Sequence, residues 1–185
     1  MSWHRIALQD VPPSPWRNGG GMTHELVVFP VREHWHWRMS IAGIDRHGPF
    51  SRFEGVQRWL AVLRGEGVRL SVNGDHHTLT PSSQPLVFDG AAEALCEPLG
   101  GSTLDFNLMV RQGRGHMRRV NGEVALAVAS GSAIALWSGN EVARATFEGE
   151  TMELPPGCLA WRHLDLGGRV EITVGEGLWM EVAPS

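Results

Sequence analysis

Glycine and proline interrupt this chain so often that none of its apolar segments is long. With 23 glycines and 11 prolines among 185 residues, the segments rich in aliphatic and aromatic side chains are about four to eight residues long, as β-strands are. No segment of about twelve or more residues keeps a helical period. The dipeptide Asn73-Gly74 is a strong hairpin signal between two such segments. The chain is therefore predicted to be all-β, a sandwich or barrel of many short strands.

The predicted strands begin and end at Gly, Pro or polar clusters. They are Glu25–Phe29, Trp35–Ile44, Gln57–Leu63, Gly67–Val72, Leu86–Phe88, Leu104–Arg111, Glu123–Ala129, Ala133–Ser138, Arg144–Phe147, Thr151–Leu154, Cys158–Arg162, Arg169–Val174 and Leu178–Val182.

Charge and composition exclude several classes of partner. A net charge of −4, a pI near 6.1 and the lack of any Lys/Arg-rich run argue against a nucleic-acid-binding surface. No uninterrupted apolar run approaches about 18 residues, and the first residues lack the apolar core of a signal peptide. Cys96 and Cys158 are too few for a disulfide framework and suit a reducing compartment. A cytoplasmic protein with no nucleic-acid or membrane partner is expected.

The composition changes near residues 112–116. The segments before this point are longer and richer in polar groups, whereas those after it are shorter and rich in Ala, Val and Leu. We therefore predict two stacked barrels with different roles in one compact unit. Residues 1–113 would form the first barrel and carry a ligand pocket, and residues 114–185 would form a mainly structural second barrel.

Neither a metal site nor a catalytic group is predicted. In a strand, His34 and His36 would share one face, but Trp37 and Arg38 follow them where a metal site would need a carboxylate. The chain has no Gly-x-Ser-x-Gly elbow, and neither cysteine has a histidine partner in a recognisable motif. No metal, no cofactor and no catalytic residue are therefore assigned.

Arg58 is the most informative charged residue. Strand alternation places it on the face of Leu60 and Val62, so both faces of its segment are otherwise apolar. Burying an unpaired guanidinium is very costly. Arg58 is therefore expected to form an intramolecular ion pair, to lie exposed at the start of its strand, or to await an anionic ligand.

Two further predicted strands place polar groups together on one face. Arg38 and Ser40 share a face in the segment 37–44, and Asn107 shares one with Asp105 and Met109 in the segment 104–111. Such a mixture is typical of a small-ligand pocket, and equally of a solvated face. An inward arginine with a nearby amide and hydroxyl would recognise a small carboxylate through charge-assisted hydrogen bonds.

Several uncommon motifs occur together in residues 3–115, in an order that resembles the HutD/Ves family. They are Trp16-x-Asn18-Gly19-Gly20-Gly21-x-Thr23-x-Glu25, Trp37-Arg38-x-Ser40-x-Ala42, Gly48-Pro49-Phe50-Ser51-x-Phe53-x-Gly55-x-x-Arg58, Leu63-x-Gly65-x-Gly67, Phe88-x-Gly90 and Asn107-x-Met109. This resemblance implies a bicupin fold, in which two cupin barrels lie in one chain, without the usual cupin metal ligands. The second half resembles the family in strand pattern and length only.

The resemblance also implies a function. Proteins of this family accompany histidine-utilisation genes and are thought to moderate the pathway by binding a related small acid, such as urocanate, N-formylglutamate or formate. By this resemblance Arg58 is the expected carboxylate anchor, and the other expected ligand-binding residues are Asn18, Arg38, Ser40 and Asn107 as polar groups, with Trp16 and Phe88 as apolar walls.

Other functions stay open at this point. One is a metal-independent hydrolase or isomerase acting on a related small amide or acid, with a carboxylate such as Glu25 as the base. Another is a protein-interaction module that uses exposed edge strands or a tryptophan-rich face. A homodimer is also left open as a partner arrangement.

Overall fold

The computed structural model describes residues 2–17 and 19–184 and is all-β. Helix accounts for 3% of the chain, in two short 3-10 helices at Leu8–Asp10 and Arg32–His34. Neither helix in the described part of the chain has the length and apolarity needed to cross a membrane. The predicted fold class is therefore confirmed at the level of secondary structure.

Residues 12–112 form one compact unit, called the N-terminal unit. Its strands are β2 (Ser14–Pro15), β3 (Gly21–Phe29), β4 (Trp37–Ile44), β5 (Gly48–Pro49), β6 (Gln57–Arg64), β7 (Val68–Val72), β8 (Asp75–Leu79), β9 (Leu86–Asp89), β10 (Ala94–Pro98) and β11 (Thr103–Val110). Six of them form an antiparallel sheet in the order β2-β3-β4-β11-β6-β9, and the other four form a sheet in the order β5-β10-β7-β8.

One apolar cluster joins these two sheets. Its residues come from alternate positions of strands in both sheets, as expected where each sheet turns one face inward. The buried members are Ile44, Leu60, Val62, Val68, Leu70, Leu79, Phe88, Ala94 and Cys96, with Trp16, Phe50, Val72 and Leu86 packed against them. This face of the six-stranded sheet is therefore the interior of the N-terminal unit.

The predicted hairpin at Asn73-Gly74 is confirmed. Strands β7 and β8 pair with Val72 opposite Asp75, which leaves a two-residue turn. Asn73 and Gly74 have φ values of 49° and 92°. Both residues tolerate this left-handed region, which matches the twist of the flanking strands.

A second compact unit, called the C-terminal unit, contains residues 2–11 and 113–184. Its strands are β1 (His4–Ala7), β12 (Arg114–Val128), β13 (Ala133–Ser138), β14 (Ala143–Phe147), β15 (Glu150–Leu154), β16 (Cys158–His163) and β17 (Gly168–Ala183). They form one antiparallel sheet in the order β1-β16-β13-β17-β14-β15, with β12 also paired to β17. Its core includes Ile134, Leu136, Phe147, Leu154, Val170 and Trp179.

The first residues of the chain lie with the C-terminal unit, whereas the sequence prediction placed them in a domain of residues 1–113. Strand β1 forms an antiparallel ladder with β16, with His4 opposite Trp161 and Ala7 opposite Cys158. Trp3 and Ala7 contribute to the core of that unit. Local composition gives no sign of this pairing, because the partner strand is more than 150 residues away.

Candidate functional site

A row of side chains crosses the interior face of the six-stranded sheet in the N-terminal unit. Met109 on the central strand β11 lies opposite Arg38 of β4 on one side and opposite Arg58 of β6 on the other. Arg58 in turn lies opposite Phe88 of β9. The sheet register therefore brings together three of the predicted ligand-binding residues, Arg38, Arg58 and Phe88.

The next row contains two more predicted residues. Ser40 and Asn107 are direct cross-strand partners, and both are buried. Asp105, one row further along β11, is 0% exposed. Ser40, Asp105 and Asn107 are therefore not part of a solvated face, because they are buried in the interior of the unit.

Arg58 is enclosed by aromatic rings. Its guanidinium carbon lies 4.9 Å from the ring centre of Phe50, 5.0 Å from Phe88 and 5.7 Å from Phe53. The Nη1 group donates a hydrogen bond to the carbonyl oxygen of Ser51 at 3.2 Å. Rings of this kind stabilise a cation by about 0.5–2 kcal/mol each, so they hold the guanidinium in place without neutralising it.

No carboxylate neutralises Arg58 within the described residues. Arg58 is 7% exposed, and its Nε group is buried without a hydrogen-bond partner. Burial and the neighbouring charge of Arg38 lower the pKa of Arg58 to about 10, which still leaves it charged at neutral pH. Arg58 therefore forms no internal ion pair among the described residues, and it does not lie exposed at the start of its strand. It is a buried cation with one free hydrogen-bond donor.

Arg38 lies on the opposite side of Met109 from Arg58. Its Nε and Nη2 groups lie 3.2 and 3.1 Å from the sulfur of Met109, and its guanidinium carbon lies 5.0 Å from Trp35 and 4.9 Å from Phe53. A thioether is a weak acceptor, so these contacts position the group more than they neutralise it. Glu25 lies 3.8 Å away, a distance longer than that of a strong ion pair.

The site carries an excess of positive charge. Glu25 forms ion pairs with Arg32 and Arg38, and Arg111 lies 4.3 Å above the ring of Trp35. Burial lowers the pKa of Arg38, Glu25 raises it, and the charges of Arg111 and Arg32 lower it. With Arg58, four arginines thus lie in or beside the site, in a chain whose net charge is −4. Such a field attracts a small anion.

The loop before β6 supplies two of the aromatic rings. Phe50 donates a backbone hydrogen bond to Ala94, and Phe53 donates one to Gly90, which itself donates to Val56. A side chain at Gly90 would meet the carbonyl oxygens of Phe53 and Val56, so only glycine allows this close approach. The motifs around Phe50 and Gly90 therefore have one shared effect, which is to hold the rings against Arg58.

Trp16 lies at the edge of the interior cluster. Its Nε1 group donates to the hydroxyl of Thr23 at 2.7 Å, and its ring meets that of Phe50 edge to face at 6.2 Å. Trp16 therefore contacts one of the rings that enclose Arg58. Asn18, the remaining predicted residue, lies outside the described residues.

Two residues of the interior, Asp105 and Cys96, were not predicted as members of the site. Asp105 accepts a hydrogen bond from Thr103 through Oδ2, but its Oδ1 atom is buried without a partner. Burial raises the pKa of Asp105 to about 7 and that of the Cys96 thiol to about 12. The charge of Asp105 adds to the rise in the pKa of Cys96, and that of Arg58 opposes it. The signal available was the alternation of β11, which put Asp105 on the polar face.

Metal-ligating side chains do not come together in the described residues. Among residues 2–17 and 19–184, no group of three His, Cys, Asp or Glu side chains is close enough to hold a metal ion. His34 lies in a 3-10 helix and His36 lies before β4, so the two histidines do not share a strand face. The Arg58 site instead has positive charge and several hydrogen-bond donors, and both suit an anion.

The sequence profile of the HutD family matches residues 8–176. The chain belongs to the HutD family. The family match confirms the resemblance. The HutD family is linked to the hut region.

Two curated relatives support the assignment of this HutD-family chain. It is 40% identical over 106 residues to a 21.2 kDa protein encoded in the hutC 3′ region of Pseudomonas putida, covering 56% of each chain. It is also 40% identical over 111 residues to the protein Ves of Citrobacter koseri, covering 58% of this chain and 57% of Ves. The matched segment thus spans little more than half the length of these relatives.

Solved structures show the same fold over the whole chain. HutD from Pseudomonas fluorescens SBW25 is 26% identical, with a TM-score of 0.88 and full coverage of both chains. Salicylate 1,2-dioxygenase from Pseudoaminobacter salicylatoxidans is 9% identical, with a TM-score of 0.66 over 97% of this chain and 80% of that chain. The second likeness concerns the fold alone, which is cupin-like.

Proposed function

We propose that this HutD-family chain is a non-catalytic protein that binds a small carboxylate in its N-terminal unit. The observation that carries the proposal is the buried Arg58 guanidinium, which has an unpartnered Nε group and no carboxylate partner among the described residues. An incoming carboxylate would supply the missing charge and accept from Nε. Buried cations that lack a partner are costly, so this interaction should be strong.

The other members of the site would select a small, partly planar acid. The rings of Phe50, Phe53 and Phe88 would pack against its apolar part, and Ser40 and Asn107 would offer a hydroxyl and an amide. Arg38 would add a second positive charge near Arg58. Trp16, at the edge of the interior cluster, remains a candidate apolar wall, and Asn18 remains a proposed polar group on the family resemblance alone.

The choice of candidate ligands follows from the family to which the chain belongs. The chain is related to a protein of the hutC region, and a HutD structure from P. fluorescens is described for a formate condition. We therefore propose urocanate, N-formylglutamate or formate as the ligand, and moderation of histidine utilisation as the role. We also infer a bicupin arrangement, in which each unit is one cupin-type barrel, since each unit has its own antiparallel strand pairing and its own core.

An enzymatic role for Glu25 has less support. Its carboxylate forms ion pairs with Arg32 and Arg38, which hold it as a structural anion. A base needs access to a proton of the substrate within hydrogen-bond reach. The proposed role of Glu25 is to position Arg38 beside the site.

Thermal unfolding with a panel of acids tests the proposal. The panel contains urocanate, N-formylglutamate, formate and glutamate, with an uncharged amide as the neutral control. A ligand at 100 times its dissociation constant stabilises the folded state by ~2.7 kcal/mol, which for a chain of this size raises Tm by roughly 5–10 °C. We expect such a shift for one or two acids and none for the amide.

Two variants locate the binding group. Arg58→Gln should abolish the shift, because it removes the buried charge. Arg64→Gln is the matched control, since Arg64 is an exposed arginine on the same strand and its loss should leave the shift intact. A shift that survives in Arg58→Gln, or no shift with any acid in the unmodified chain, would contradict the proposal.

A further inference from the structure

The C-terminal unit contains a second buried arginine that the proposed function does not use. Arg162 lies on β16, and its side chain is 5% exposed. Its guanidinium carbon lies 4.9 Å from the ring centre of Phe147 and 5.5 Å from that of Trp3. Phe147 and Trp3 belong to the apolar core of this unit. Arg162 is therefore held between two rings, as Arg58 is in the N-terminal unit.

Two neighbouring hydrogen-bond donors lack an acceptor. Arg162 Nε and Trp3 Nε1 are both buried without a partner. Indole and guanidinium groups can only donate, so these two groups cannot satisfy each other. Each buried unpaired donor destabilises the folded state, so two in adjacent side chains need an explanation. A shared acceptor between them would remove both costs.

A carboxylate already reaches Arg162 from the solvent side. Glu150 is 54% exposed, and one of its carboxylate oxygens lies 3.3 Å from Arg162 Nη1. Glu150 begins β15 directly after the turn formed by Glu148 and Gly149, whose φ values are 51° and 79°. This contact shows that an edge of the buried guanidinium is open to a carboxylate, while Nε is left unused.

We propose that Arg162 and Trp3 form a second anion site, which takes a small monocarboxylate in place of the Glu150 side chain. A planar carboxylate has two oxygens, so it can accept from the guanidinium and from the indole together. Its single negative charge matches the one arginine once Glu150 has moved into solvent. The rings of Trp3 and Phe147 would flank its apolar part. This site is independent of the function proposed for Arg58.

The test follows the indole of Trp3 directly. Spectra that correlate ¹H with ¹⁵N are recorded on the full chain carrying Arg58→Gln, during titration with sodium acetate and, separately, with sodium chloride at equal ionic strength. Trp3→Phe assigns the Trp3 indole signal by its disappearance. We expect acetate to move this signal saturably, and chloride to leave it in place. Because Arg58 is absent, failure of the N-terminal site cannot produce or hide the result.

Three variants decide whether Arg162 is responsible. Arg162→Gln should abolish the acetate-dependent shift, and Arg169→Gln, which removes an exposed arginine of the same unit, should retain it. Glu150→Gln should lower the dissociation constant for acetate about two- to fivefold, because it removes the competing carboxylate of a partly exposed ion pair. This last variant alters an exposed side chain and keeps the buried arginine, so it gives a result even if Arg162→Gln fails to fold.

Three outcomes would overturn the second site. They are a Trp3 signal that does not move with acetate, one that moves equally with chloride, and an affinity for acetate that Glu150→Gln leaves unchanged.

Discussion

Replacing Asp105 by asparagine should make the stability of this protein less dependent on pH. Asp105 lies in the interior of the N-terminal unit, is 0% exposed and has one carboxylate oxygen without a partner. Burial raises the pKa of this carboxyl from 3.8 to about 7, and the hydrogen bond from Thr103 offsets this only in part. Asparagine has nearly the same shape and cannot ionise, so the substitution removes the charge and little else.

The sign and size of the effect follow from proton linkage. A pKa that is higher in the folded state means that folding favours the protonated form, so its stabilisation is full below about pH 4 and is lost as the pH rises through about 7. A difference of about three pKa units corresponds to about 4 kcal/mol over the whole range. Between pH 5 and pH 8, the free energy of unfolding should fall by roughly 2–3 kcal/mol from this group alone.

Urea unfolding at several pH values measures this difference. The other titrating groups are shared, so subtracting the Asp105→Asn curve from that of the unmodified chain isolates the contribution of Asp105. The matched control is Asp75→Asn, which removes an exposed carboxylate from β8 of the same unit and should keep the original pH dependence. If the difference between the unmodified chain and Asp105→Asn is constant from pH 5 to pH 8, the account of Asp105 is wrong.

Two further predictions concern Gly21 and Cys96. A Cβ at Gly21 would collide with the carbonyl oxygen of Gly43, so Gly21→Ala should lower stability by about 1–3 kcal/mol. Gly43→Ala is its control, since a Cβ there meets nothing within 4 Å, and thermal unfolding of the two variants should therefore differ clearly. Burial raises the pKa of the Cys96 thiol to about 12, so in Cys158→Ser this thiol should react with Ellman's reagent at pH 8 only after unfolding. Rapid reaction of the folded protein would show that Cys96 is accessible.

Local signals predicted much of the strand pattern in the N-terminal unit. The segment 57–63 lies within β6 (Gln57–Arg64), and the Asn73-Gly74 turn joins β7 to β8. In these places turn chemistry and alternation agree, so neighbouring residues alone are sufficient to specify the structure.

Long-range pairing explains what local signals could not show. Strand β12 continues through Gly115 and Gly122, because it pairs along most of its length with β17, with a bulge next to Val120. The sequence prediction placed a boundary near residues 112–116 and began a strand only at Glu123. Glycine lowers local strand propensity, but here the ladder with a partner some fifty residues away outweighs that preference.

The sequence could predict which residues belong to the site, but it could not predict how they are arranged in space. Alternation correctly placed Arg38 with Ser40 and Asp105 with Asn107. It could not show that β11 lies between β4 and β6, which is what puts Met109 between the two arginines. Sheet order depends on the whole chain, so the enclosure of Arg58 by Phe50 and Phe53 was beyond sequence reasoning.

The ladder between β1 and β16 has a consequence for synthesis of the protein. Trp161 follows its partner His4 by 157 positions in the sequence, and all residues of the N-terminal unit are synthesised between the two. At about 5–20 residues per second, a ribosome needs roughly 8–30 s to make that stretch. Throughout this interval the first strand has no partner, while residues 12–112 can already complete their own sheets. The C-terminal unit therefore closes last, and the nascent chain must keep its opening segment from pairing elsewhere until then.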